Sequence, residues 1–158
     1  MDAIVITRQV SYKAKMSMAT DVTKRYYSEI KNAFLSCKKV KSTISWGGER
    51  FNFGRTNLAK IVIRGKTLTM YLNLDADKYP VTRFHQEDVS AKKAYAQLGM
   101  KIKVKSDLGL KRALELVGEL VKDNELKENK KYVCVDYAAD FPAKTDDQLI
   151  AEGLIRKL

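Results

Sequence analysis

The chain has 158 residues, 45% of them hydrophobic, with two prolines and a formal charge of +11. That composition excludes a disordered polymer and suits one compact domain with a full core plus a short appendage. No apolar run approaches the roughly 20 residues needed to span a bilayer, and residues 1–10 lack the long apolar core of a signal peptide, so a cytoplasmic protein with no membrane contact is expected.

In chain order, residues 10–18 alternate Val10, Tyr12, Ala14, Met16 and Met18 with Lys13 and Lys15, which predicts a strand. Thr20 or Asp21 then caps a helix whose apolar positions Val22, Tyr26, Ile30, Ala33, Phe34 and Cys37 follow helical spacing. Lys39 and Lys41 continue the basic alternation into a strand over residues 40–46. Gly47 and Gly48 turn the chain, and residues 49–53 return as a strand that ends at Gly54. Residues 58–63 and 67–74 flank Arg64, Gly65 and Lys66, a hairpin whose glycine supplies the positive φ.

Residues 73–80 read as a polar loop and 84–89 as another strand, after which Ser90 caps a short helix reaching Ala96. Residues 100–105 set Met100, Ile102 and Val104 against Lys101, Lys103 and Lys105, so one strand face is apolar and the other basic. Ser106 or Asp107 starts a helix to Lys122 carrying Leu110, Ala113, Leu114, Val117, Leu120 and Val121 at three- and four-residue steps. A strand is predicted over residues 132–137, and Thr145 and Gln148 hold the spacing of a capping box that opens a C-terminal helix.

Taken together, these elements predict an α+β fold. A single antiparallel sheet has two long helices packed on one face, with a small C-terminal strand-helix appendage. The organisation expected is an α+β domain over residues 1–122, a charged linker over 123–131, and the appendage over 132–158.

Several motifs resemble a known group of sequences. They are Tyr26-Tyr27-Ser28-Glu29-Ile30-Lys31-Asn32, Lys39-Val40-Lys41-Ser42, Glu49-Arg50-Phe51 with Gly54-Arg55, Arg64-Gly65-Lys66-Thr67-Leu68, Glu87-Asp88-Val89-Ser90, and Lys101-Ile102-Lys103. They look like an uncharacterised domain family of anaerobic Gram-positive bacteria, densely over residues 12–122. Leu149-Ile150 and Gly153-Leu154-Ile155 resemble its usual C-terminal tail. The resemblance supplies no reaction and no catalytic residues. The order of helix, meander, strand and helix is also distantly similar to YjbR-like double-wing proteins, a topological likeness that implies no shared site.

Charge carries the functional expectation. Residues 38–66 hold eight Lys and Arg against one acidic residue, and residues 101–122 hold six against three, whereas residues 123–158 hold six against eight. Alternate residues on a strand lie about 6.8 Å apart, a spacing that can follow successive phosphates. A nucleic-acid-binding sheet face is therefore expected, using Lys13, Lys15, Lys39, Lys41, Arg50, Arg55, Lys60, Arg64, Lys101, Lys103 and Lys105. The bland reading is that these charges only keep a sheet soluble and guard its edges. An alternative of another class is a protein-interaction or regulatory module, with the acidic stretch from Asp136 to Glu152 as contact or as cover for the basic face.

Other residues point more weakly to chemistry. Trp46, Phe51, Phe53 and Tyr71 would stack on bases if exposed, and Trp46 falls on the apolar side of its strand. Asp75, Asp77, His85, Glu87 and Asp88 match no ligand spacing, so turn contacts are preferred to a metal site. Cys37 and Cys134 read as buried reduced thiols. His85 is the lone histidine, and Glu128-Asn129-Lys130 lacks the strand acid of a nuclease motif. A non-catalytic role without metal or cofactor is expected, while a hydrolase built on the loop from Asp75 to Asp88 remains the third option.

Overall fold

The computed structural model describes residues 8–157. After β1 (Arg8–Val10), Ser11 accepts from the Ala14 N–H and so caps α1 (Tyr12–Met18). This helix replaces the strand expected over residues 10–18. Tyr12 and Met16 stand four residues apart, so one helical face carries both into the core, and a two-residue period fits the same apolar positions. Thr20 caps α2 (Asp21–Leu35), which buries Tyr26, Tyr27, Ile30 and Phe34 and leaves Val22 exposed.

The meander follows as β2 (Val40–Ile44), β3 (Glu49–Phe53), β4 (Thr56–Arg64) and β5 (Thr67–Leu72), with Gly65 at φ 62° in the last turn. Next come a 3-10 turn at Ala76–Lys78, the short α3 (Val81–Phe84) and the two-residue β6 (Glu87–Asp88). The helix expected after Ser90 is absent. Ser90 instead binds Asp88 Oδ1 through its N–H and hydroxyl, and the segment winds only as a 3-10 turn at Lys93–Tyr95. β7 (Met100–Val104) leads to α4 (Asp107–Asp123), capped by Ser106. Past a 3-10 turn at Tyr137–Asp140, α5 (Asp146–Ala151) carries the Thr145–Gln148 capping box, and β8 (Ile155–Lys157) follows it.

The fold is α+β, with a six-stranded antiparallel sheet in the order β2-β3-β4-β5-β7-β6 and five helices among the described residues. It departs from a single sheet with two long helices. β1 and β8 pair as a second, two-stranded sheet, and three shorter helices join α2 and α4. Register places Ile61, Met70 and Ile102 in one row across β4, β5 and β7, all buried on the helical side. There Phe34 of α2 stacks on Phe51 of β3 with ring centroids 4.5 Å apart. Burying each such aromatic contributes roughly 1.5–3 kcal/mol. A bulge in the β3–β4 ladder lets consecutive Leu58 and Ala59 both face inward, while Asn57 stays on the opposite side.

The strand expected over residues 132–137 does not form. Asn32 of α2 stands in for a strand neighbour, accepting from the Val135 N–H at 2.9 Å and donating to the Val135 carbonyl at 2.8 Å. Ser28 accepts from the Tyr137 N–H at 3.0 Å. The segment therefore runs along the outside of α2, and Cys134 is exposed rather than buried; Cys37 is buried as expected. Ala14, Leu149 and Ile155 form a small separate core where α1, α5 and β8 meet. Among the described residues, no helix is long and apolar enough to cross a membrane.

Candidate nucleic-acid interface

Because strand side chains alternate, the residues between the buried positions point away from the helices. Lys41, Arg50, Lys60, Arg64, Lys101 and Lys103 occupy those positions, so six of the expected residues share the outward face. Register gives them an order across the strands: Arg50 lies opposite Lys60, Lys60 opposite Tyr71, Tyr71 opposite Lys101, and Lys101 opposite Glu87.

The row is uneven in charge. Lys101 is paired with Glu87 at 3.5 Å, and its ammonium lies 6.0 Å from the Tyr71 ring centroid. No other member of the expected set takes part in an ion pair among the described residues. Arg50 and Lys60 thus stand directly opposite one another on neighbouring strands as like charges, a placement that destabilises a sheet.

Part of this face is covered. Residues 90–97 fold back over β4 and β5 as a strap, setting Tyr95 flat on Tyr71 with centroids 4.1 Å apart and an interplanar angle of 4°. Val62, Tyr71, Val89 and Leu98 form an apolar island beneath it. Arg64 donates to the Tyr71 hydroxyl at 3.3 Å and to the Tyr95 hydroxyl at 2.7 Å. These hydrogen bonds, Tyr71 first, raise the guanidinium pKa above its ordinary value.

Between strap and sheet lies a hollow of about 340 Å³ lined by Arg50, Lys60, Lys93, Asn57, Tyr95 and Gln97 together with Ala94, Ala96 and Leu98. Three cations and two amides line it, and no carboxylate does. It shares Asn57, Ala96 and Gln97 with a second hollow of about 580 Å³ at the strand ends, where Arg55 and Asn73 meet Asp75 and Asp88. The Asn57 Oδ1 atom is buried without a hydrogen-bond partner at this junction. Asp88 accepts from Ser90, and those bonds hold its carboxyl below the usual range.

The remaining expected residues lie elsewhere. Lys13 and Lys15 leave the basic face, because their segment is α1 on the helical side; Lys15 Nζ lies 3.4 Å from the Ile63 carbonyl. Lys39 precedes β2 at φ 65° and borders, with Lys41 and Phe53, a mostly apolar hollow at the sheet edge. Lys105 follows β7 and lines a hollow with Lys103, His85 and Arg112. His85 is thereby separated from Asp75 and Asp88, which serve as turn caps.

Of the aromatic residues weighed for stacking, Phe51 is in the core and Tyr71 lies under the strap. Trp46 is half-buried, with the Arg156 guanidinium 4.0 Å from its ring centroid. Sequence reasoning missed Lys93 and Tyr95, whose approach to the sheet depends on a loop returning over β4 and β5. The one local hint is the pair Lys92-Lys93 beside Tyr95 in an otherwise small-residue stretch. No protein-family model matches the chain, and neither a curated protein nor a solved structure matches it.

Proposed function

We propose that the protein is a non-catalytic nucleic-acid-binding protein that engages phosphates through the outward sheet face. The observation that carries this reading is the juxtaposition of Arg50 and Lys60, directly opposed and free of carboxylates, with Lys93 facing them across the same hollow. A sheet gains nothing in stability from opposed cations, whereas successive phosphates of a bound strand would neutralise them and accept hydrogen bonds from the guanidinium and both ammonium groups. Asn57 and Gln97 add neutral donors suited to sugar or phosphate oxygens.

The test is oligonucleotide affinity as a function of salt. Engagement of three phosphates predicts a slope of log affinity against log salt near −2 to −3. The triple substitution Arg50→Ser, Lys60→Ser, Lys93→Ser should flatten it and weaken binding at least about tenfold at low salt. Affinity that ignores salt between about 50 and 200 mM would defeat the proposal.

A second reading, a protein-interaction module using the C-terminal segment, draws on the exposure of Val133 at 77% and Val135 at 47%. Cys134 between them is exposed as well, on the segment that runs along α2. Under that reading, Val133→Glu with Val135→Glu removes the partner and leaves oligonucleotide affinity unchanged.

A further inference from the structure

We propose that Tyr71 is a stacking site for one nucleobase of a single strand, and that Tyr95 occupies it in the free protein. This rests on the polyanion reading above and deepens it. Tyr71 lies between Lys60 on β4 and Lys101 on β7 in the same row. An aromatic ring flanked on both sides by cations is the arrangement that holds a base flat while its neighbouring phosphates are neutralised. Tyr95 fills the place of such a base: its ring is parallel to that of Tyr71 at 4.1 Å, stacked rather than edge-on.

The strap is built to lift. Between Val89 and Leu98, which are both buried, Tyr95 is the one residue that is not exposed. The backbone bonds of the segment close on itself, from Lys92 to Val89, Tyr95 to Lys92 and Leu98 to Tyr95, and none reaches the sheet beneath. Its two ends meet where the Val89 N–H donates to the Gly99 carbonyl at 2.8 Å. A Cβ on Gly99 would sit 2.8 Å from the Ser90 Cβ, so glycine permits this closure. The strap therefore hangs from a fixed base and is fastened at its tip by one ring and the single hydrogen bond from Arg64 to the Tyr95 hydroxyl. Lifting the tip breaks no backbone bond of the sheet. Arg50 and Lys60 stay on the sheet when the tip lifts, and Lys93, which lines their hollow from the strap, stays tethered beside it as the third cation for the strand's backbone.

The experiment compares a fluorescent single strand of roughly 12 nucleotides with the same strand annealed to its complement, by anisotropy at low salt. For the unaltered protein, single-strand binding should exceed duplex binding. Tyr95→Ala should raise single-strand affinity about three- to tenfold and leave duplex affinity unchanged, and Tyr71→Leu should abolish the preference. Tyr95→Phe, which keeps the ring and frees it from Arg64, should fall between, and melting curves confirm folding of each variant. Photocrosslinking with 5-bromouridine should mark Tyr71.

A crosslink on Tyr95 instead, or a fall in single-strand affinity for both Tyr95 variants, would mean that Tyr95 is a fixed part of the face and would overturn the proposal. Equal changes for both probes would overturn it while leaving phosphate binding intact. Absence of binding to either probe would remove both readings together.

Discussion

Lys31 Nζ lies 2.8 Å from Glu49 Oε2 inside the protein, joining α2 to β3 through a pair of charges that solvent barely reaches. Tyr27 and Tyr12 donate to the other carboxylate oxygen at 2.7 and 3.2 Å, and the ammonium sits 4.6 Å from the Tyr137 ring centroid. Burial, with the carboxylate close by, holds both phenols well above the ordinary tyrosine range. Lys31→Met strands the carboxylate and should cost about 3–5 kcal/mol in urea unfolding. Adding Glu49→Gln should recover most of that loss, since the amide oxygen still accepts from both tyrosines.

Lys60→Glu should separate stability from binding. It converts the opposed cations into an attractive cross-strand pair with Arg50, worth about 0.2–1 kcal/mol in thermal or chemical unfolding. Oligonucleotide affinity should fall in the same variant. A variant that becomes more stable and binds less well identifies a charge retained for a partner rather than for folding.

Gly48 is buried where a Cβ would stand 2.7 Å from the Ile61 carbonyl oxygen and 2.9 Å from Val62 Cγ1. The first of these is backbone held in the β3–β4 ladder and cannot swing aside. Gly48→Ala should therefore destabilise by about 1–3 kcal/mol. Its neighbour provides the control, because a Cβ on Gly47 meets nothing within 4 Å and Gly47→Ala should be close to neutral in the same assay.

Asp107, at the first turn of α4, accepts from Arg25 at 2.6 Å and from the Tyr26 hydroxyl at 3.0 Å, so it ties α4 to α2. Arg25 is the main reason that its carboxyl is held below the usual value. With the folded pKa depressed, the unfolded chain binds more protons near its own pKa of about 3.9, so stability rises with pH there. The contribution is present above about pH 4 and is lost as pH falls through the lower, folded value. Asp107→Asn should flatten that acid limb in unfolding measured across a pH series.

The meander was legible because its signals are local. Gly65 between two β-rich runs specifies a hairpin, and the Met100 to Val104 alternation assigns one face to the core and the other to lysine. Residues 10–18 were misread because Tyr12, Ala14 and Met16 satisfy two periods at once. Ser11, whose hydroxyl accepts from the Ala14 N–H, was the deciding sign of a helix. A strand was expected over residues 132–137, yet the backbone hydrogen bonds of Val135 are made with the side chain of Asn32, about a hundred residues away in sequence. Shorter separations in sequence were enough to hide the partnership of Lys31 with Glu49 and the return of Tyr95 to Tyr71. Charge and alternation announced a basic face; only tertiary pairing decides which cations are free and which aromatic ring stands among them.

The pairing of β1 with β8 orders events during synthesis. Arg8–Val10 has no strand partner until Ile155–Lys157 has been made, and Ala14 waits equally for Leu149 and Ile155. The six-stranded sheet is complete in sequence by Val104 and can assemble while the chain is still growing. Closure of the β1–β8 ribbon therefore follows synthesis of the whole sheet, and fraying of either strand releases the other.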